Sequence, residues 1–486
     1  MKPTRTGPSR GRIMAAAALA VAAIVPLAPA RALMPYQGWT PSSFGMLPEC
    51  GKYETSGYAV SGCLITRRMR FHPSRTGVAV AGTLRQGPWI TTNGLTWTPL
   101  APHCLSTLYT VESAVGNGLT ACGVEDIAFD PVDPQTIYVT AFNFSSPLLI
   151  GYNIEPAGVF RSTDLGLTWQ RISPPIRGAG LAVIRSGSRT TIMAGQIQHT
   201  DWDIGTTTSL IVSDDGGGTW RKVTLPAARG CNRDVFLSSS YLVASIVPHP
   251  TNPNLIYAAT NGGVYMSTNR GSSWSLVLAK CISTPVDIGM IWGLTISPDG
   301  KTVFAGLWDG TIRMSSTTRT STRTWKHVTT IDGTMISHLM PDMRDPTGKT
   351  LYVAALNKAA GKTNTSAGVY RIKIGSPTTS TLLWDSWASG VNHAMGSLPR
   401  GPYNLIKDSP AFWLAQNPVE RDLIYLSQAA GGIFWRSEGP PSPSAQNPGL
   451  PALPGVPAVP TSTPSAAIPT ATGTPRVPYP TSTPTP

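Results

Sequence analysis

Short apolar stretches broken by proline-bearing polar turns recur along most of this chain. No segment keeps a 3.6-residue apolar period long enough for a helix, so the pattern predicts strands. Ile127-Ala-Phe-Asp-Pro-Val-Asp-Pro-Gln-Thr-Ile-Tyr-Val139 reads as a strand, a turn and a second strand. Val247-Pro-His-Pro-Thr-Asn-Pro-Asn-Leu-Ile-Tyr257 repeats that grammar. Shorter forms stand at Phe71-His-Pro, Ile296-Ser-Pro-Asp-Gly-Lys, Arg344-Asp-Pro-Thr-Gly-Lys and Asn417-Pro-Val-Glu-Arg. Proline cannot donate to a strand ladder and presets its own φ, so these runs lie between strands. A third strand follows, opening on glycine at Gly158-Val-Phe, Gly263-Val-Tyr, Gly368-Val-Tyr and Gly432-Ile-Phe.

The next turn is an eight-residue motif, Ser-x-Asp-x-Gly-x-Thr-Trp. It is complete at Ser162-Thr-Asp164-Leu-Gly166-Leu-Thr168-Trp169 and at Ser213-Asp-Asp215-Gly-Gly217-Gly-Thr219-Trp220. A third copy, Ser267-Thr-Asn269-Arg-Gly271-Ser-Ser273-Trp274, replaces Asp by Asn and Thr by Ser, and worn copies end at Trp97 and Trp325. The aspartates are read as structural: each accepts backbone N–H groups, the glycine takes the unusual dihedral, and the tryptophan packs between units. Each unit is thus strand a, proline turn, strand b, loop, strand c, boxed turn, strand d.

Four-stranded units in series form a β-propeller. The expected fold is all-β, a single propeller of seven blades beginning near Arg70, Val124, Ala179, Leu242, Met290, Ile336 and Pro410. Six or eight blades also fit, because the third and sixth units are weak. The seventh unit ends after Gly432-Ile-Phe-Trp-Arg-Ser. Its missing outer strand is expected from Gln37-Gly-Trp-Thr near the N-terminus, pairing first with last.

With these turns the chain resembles the BNR/Asp-box repeat superfamily over roughly residues 65–437. That group includes sialidases, xyloglucanase-type hydrolases, sortilin-like propellers and photosystem-assembly propellers. The resemblance implies a propeller and leaves the activity open. Sialidases carry an Arg-Ile-Pro signature before the first box, and here that stretch reads Arg67-Arg-Met-Arg-Phe-His-Pro. Xyloglucanase-type enzymes join two propellers around a cleft and place a catalytic Asp in a Thr-Asp-Ile-Gly-Gly-like segment. The matching segment here, Gly82-Thr-Leu-Arg-Gln-Gly87, has no Asp, and there is one propeller.

Topology puts the a–b and c–d turns on one face and the longer b–c and d–a loops on the other, where function is expected. Gln198-His199-Thr-Asp201-Trp202-Asp203 is the densest polar-aromatic cluster there. Trp202 and Trp308, beside Asp201, Asp203 and Asp309, are candidates for a glycan subsite, since indoles stack on sugar rings and carboxylates bind hydroxyls. A solvated loop with one Trp tucked on the rim is the plainer reading and is preferred. His199 with Asp201 and Asp203 is a weaker metal candidate, and no metal or cofactor is expected. Glu125, Asp126, Asp201 and Asp203 are the acids considered for an inverting pair, which needs roughly 6.5–9.5 Å between carboxyl groups.

The ends and the charge add context. Residues 1–32 read as a signal peptide, with basic residues at Lys2, Arg5, Arg10 and Arg12 before an Ala-rich apolar run. Residues 439–486 hold 15 prolines and one charge, Arg476, and read as a disordered Pro/Ser/Thr-rich stalk. The propeller is therefore assigned 33–438, exported to the cell surface or secreted, with no membrane span after cleavage and a monomeric state expected. The formal charge of +13 includes five basic residues in the first 32; the remaining +8 is spread without basic runs, which argues against nucleic acid and weakly favours an anionic surface or glycan. Six cysteines (Cys50, Cys63, Cys104, Cys122, Cys231 and Cys281) suggest disulfides in an exported chain. Near-neighbour pairing (50–63, 104–122, 231–281) is the simplest of fifteen arrangements. The preferred function is a non-catalytic binding or assembly module for an extracellular glycan or polypeptide. The alternative is a glycoside hydrolase, sialidase-like or xyloglucanase-like.

Overall fold

The computed structural model describes residues 39–42, 66–83, 86–101, 104, 117–144, 154–196, 210–226, 243–279, 291–318, 325–357, 367–385, 411–428 and 432–439. They form seven antiparallel four-stranded sheets. Six sheets use four consecutive strands each. The seventh takes three late strands, Ala411–Gln416, Leu423–Gln428 and Gly432–Ser437, and one early strand, Thr40–Pro41. The first strands of the blades are Thr66–Phe71, Gly123–Phe129, Gly178–Ser186, Val243–Pro248, Gly293–Ile296, Thr334–Pro341 and Ala411–Gln416. Each touches the next, and the last touches the first, so they ring a central axis. The blade starts read from the sequence all fall within or beside these strands.

Local turn chemistry sets the hairpins. At four of the proline turns, the side chain of the residue before proline accepts hydrogen bonds from the two backbone N–H groups that follow proline. His72 Nδ1 accepts from Ser74 and Arg75 at 3.2 and 3.1 Å, and Asp130 Oδ1 from Val132 and Asp133 at 3.0 and 3.2 Å. His249 Nδ1 does so for Thr251 and Asn252, and Asn417 Oδ1 for Val419 and Glu420. Proline has no N–H to offer, and the side chain closes the turn over the two donors that follow.

His72 can accept only while neutral. It is 3% exposed, and burial, helped by the charge of Arg75, pushes its pKa down to about 4 from 6.5. Between those pH values the unfolded chain takes a proton that the folded chain refuses. Stability therefore falls as pH drops through this window, by about 3 kcal/mol once below it. His72→Asn, which copies the turn at Asn417, should keep the midpoint at pH 7.5 and flatten the decline toward pH 4.5. Melting curves across that range test this, and an unchanged acid slope in the variant would refute it.

The boxed turns are built alike. In the first complete copy, Ser162 Oγ accepts the Gly166 N–H at 2.7 Å and Asp164 Oδ1 accepts the Thr168 N–H at 2.9 Å. The Thr168 hydroxyl donates to Asp164 Oδ2 at 2.6 Å. Ser213, Asp215, Gly217 and Thr219 repeat these bonds at 2.8, 2.9 and 2.7 Å. In the third copy the last bond reverses: Asn269 Nδ2 donates to Ser273 Oγ at 2.8 Å. The fourth position is left-handed in all three, at Leu165 (φ 56), Gly216 (φ 75) and Arg270 (φ 56). The indoles of Trp169, Trp220 and Trp274 close the turns, Trp169 Nε1 donating to Gly166 O at 2.9 Å.

Strand c opens on glycine for a steric reason. Gly263 has φ +139, and a Cβ there would lie 2.1 Å from Leu278 O on the neighbouring strand.

Cys104 is bonded to Cys122, across 18 residues, tying the exit of blade 1 to the entry of blade 2. Cys50, Cys63, Cys231 and Cys281 lie outside the described residues, as do residues 1–32 and 440–486. Closing a loop of that size contributes about 3 kcal/mol in the chain-entropy account. Cys104→Ala/Cys122→Ala should lower stability by that order in denaturant titrations, and an unchanged midpoint would contradict it.

Candidate functional site

Each inner strand starts at the loop face and descends to the proline turns. Six of the seven carry a register irregularity near that upper end: between Thr66 and Met69, Val124 and Asp126, Gly178 and Leu181, Val243 and Ser245, Ile336 and His338, and Ala411 and Trp413. An extra residue re-aims the side chains around it. The result is a polar cluster at the axis.

Arg68 Nη1 meets Asp126 Oδ2 at 2.5 Å, and Arg68 Nη2 donates to the Ala244 carbonyl of blade 4. Asp126, fully buried, also accepts the Leu181 N–H of blade 3 and the Ile127 N–H, both at 2.9 Å. Arg70 Nε donates to Ile127 O at 3.2 Å and its Nη2 lies 3.5 Å from Asp126 Oδ1. Arg67 and Glu125 pair at 3.1 Å. The Trp413 ring of blade 7 carries Arg68 and Arg70 at 4.5 and 5.0 Å from its centroid. His338 of blade 6 stacks on Trp413 at 3.4 Å and accepts the Leu414 N–H through Nδ1 at 3.2 Å. Burial, then Arg70 and Arg68, holds His338 well below the usual histidine range, so it is neutral. Six blades thus meet through one cluster.

This corrects the reading of two acids. Asp126 is committed to Arg68, Arg70 and two backbone N–H groups inside the ring, and Glu125 is buried beside Arg67, so neither stands on the open face where the pair was sought.

Trp308, a candidate for a glycan subsite, is placed inside the ring instead. It is 4% exposed and packs with Met335, Leu356 and Trp413, with Trp292 against the same cluster. A buried indole offers no face to a sugar ring. Asp309 accepts the Thr311 N–H at 3.1 Å in a tight turn. His199, Asp201, Trp202 and Asp203 lie outside the described residues. So do most of the long b–c and d–a loops.

The segment matched to the xyloglucanase Asp is a closed turn. Thr83 Oγ1 donates to Gly87 O at 2.8 Å and accepts the Gln86 N–H at 2.8 Å. Among the described residues, no three His, Cys, Asp or Glu side chains come together as a metal site.

Sequence reasoning passed over the axial cluster. Its signal was present: three arginines in one inner strand, Arg67-Arg-Met-Arg70, opposite the adjacent acids Glu125 and Asp126.

No protein-family model matches the chain. A xyloglucanase of Hypocrea jecorina is 25% identical over 363 residues, covering 68% of this chain and 40% of the relative. A Paenibacillus sp xyloglucanase is 26% identical over 288 residues, covering 54% of this chain and 26% of the relative. Among solved structures, the GH74 xyloglucanase from Xanthomonas campestris superposes with a TM-score of 0.53 at 18% identity, over 77% of this chain and 52% of that one. This is a seven-bladed propeller similar to xyloglucanases. The structural likeness is one of fold, and the chain spans 40% or less of the length of these two sequence relatives.

Proposed function

We propose that this protein is an exported propeller whose loop face acts on an extracellular β-glucan as a xyloglucanase-like glycoside hydrolase. The observation that carries this is the sequence likeness to an enzyme named xyloglucanase along 68% of the chain. With Glu125 and Asp126 committed to arginines, Asp201 and Asp203 are the acids put forward for the chemistry, and Trp202 for a sugar subsite. Export rests on the reading of residues 1–32 as a signal peptide.

A second reading, a non-catalytic glycan-binding module, is favoured by one specific observation. The segment that carries an Asp in xyloglucanase-type enzymes is here the Gly82–Gly87 turn, which has none.

Incubation of the purified protein with xyloglucan, other β-glucans and sialosides, with reducing-end release measured, tests both. Turnover lost in Asp201→Asn or Asp203→Asn supports the hydrolase. Retention on a glucan matrix without product supports the binding module. Neither turnover nor retention on any of them overturns both.

A further inference from the structure

Among the described residues, the axis carries more positive charge than the acids beside it neutralise. Glu125 is taken by Arg67, which leaves Asp126 alone against Arg68 and Arg70. His338 adds no charge but no compensation either, since its Nδ1 is held by the Leu414 N–H. Arg68 has both terminal nitrogens engaged, one on Asp126 and one on the Ala244 carbonyl.

Arg70 differs. Its Nε is bonded to Ile127 O, its Nη2 stands at 3.5 Å from Asp126, and among the described residues its Nη1 has no partner. A guanidinium has five donors in a planar fork, suited to a two-pronged grip on an anionic oxygen group. The Trp413 ring behind it fixes the plane of that fork. The Arg70 side chain is 38% exposed, so its guanidinium is open to solvent.

We propose that the axial channel binds an anion at Arg70. The ligand is a carboxylate, sulfate or phosphate group, presented as a free ion or as the acidic substituent of a glycan. Close charge pairing at this position supplies the affinity, and the formal +8 of residues 33–486 steers anions toward the protein.

The test uses the full mature chain titrated with sodium sulfate, then with sodium acetate, at an ionic strength held constant with chloride. Thermal midpoints should rise saturably in the wild type. In Arg70→Gln the apparent affinity should fall by about tenfold or more, the loss of one charge-assisted contact, and Arg70→Lys should retain part of it. An equal rise in wild type and Arg70→Gln is a general salt effect and overturns the proposal, as does the absence of saturation. Should Arg70→Gln fail to fold, a selenate soak of wild-type crystals decides. Anomalous density within hydrogen-bond distance of Arg70 supports the site, and none overturns it.

Oligogalacturonate and cello-oligosaccharide then separate the sources. Displacement of sulfate by the acidic oligomer alone identifies a glycan substituent. Sulfate binding that neither oligomer disturbs identifies a free ion. The outcome is independent of the β-glucan assay, so either reading can fail without the other.

Discussion

Trp39→Ala should destabilise the propeller by about 3–5 kcal/mol, the cost of emptying a buried indole site. Trp39 is fully buried, its Nε1 donates to the Leu383 carbonyl at 3.0 Å, and its ring meets Trp384 edge-on at 5.9 Å. The next two residues, Thr40 and Pro41, pair with Trp435 and Phe434 of the last blade. Ser42 then donates its N–H to Ile433 O at 2.7 Å and its hydroxyl to Gly94 O at 2.5 Å, and it accepts the Trp97 indole N–H at 3.2 Å. Four residues therefore join blades 6, 7 and 1. The pairing is only two residues long, so its strength lies in the tryptophan anchor. Glu438, just after the last strand, closes the same seam, accepting from Arg371 and, at 2.6 Å, from Arg436. Urea titration of the wild type and variant gives the measurement. A loss below 1 kcal/mol would mean that the ring closes without the early strand.

Asp126→Asn should cost about 3–5 kcal/mol as well, for an electrostatic reason. The substitution keeps the shape and removes the charge that Arg68 and Arg70 face inside the ring. A buried cation without its partner is worse than no ion pair, so the triple variant Arg68→Met/Arg70→Met/Asp126→Leu, which removes both guanidiniums with the acid, should recover part of the loss. Any fall in activity of Asp126→Asn would then track unfolded protein and not a missing catalytic acid. If Asp126→Asn melts like the wild type, the axial cluster does not hold the ring as described. Equal destabilisation in the triple and single variants would point to packing and not to charge.

The blades were legible because their signals are short. A boxed turn is complete within eight residues, as Ser162, Asp164 and Thr168 bond to one another and to N–H groups at most four positions away. The proline turns after His72, Asp130, His249 and Asn417 close within three. Such contacts depend on residue type and spacing, which a sequence displays. The early strand was legible for the same reason, because the seventh unit visibly lacked its last member.

The site was less so, because its contacts are long-range. Arg68 reaches a carboxylate 58 positions away and a carbonyl 176 positions away. Nothing local distinguishes Asp126, locked between guanidiniums, from an acid on an open loop. Trp308 reads as a loop tryptophan, and only its packing with Met335, Leu356 and Trp413 from two later blades shows it buried. The sequence by itself determined an all-β ring of four-stranded units, since periodicity and turn chemistry act over a few residues. Which charges meet at the axis was decided only when closure of the ring brought distant inner strands within hydrogen-bonding reach.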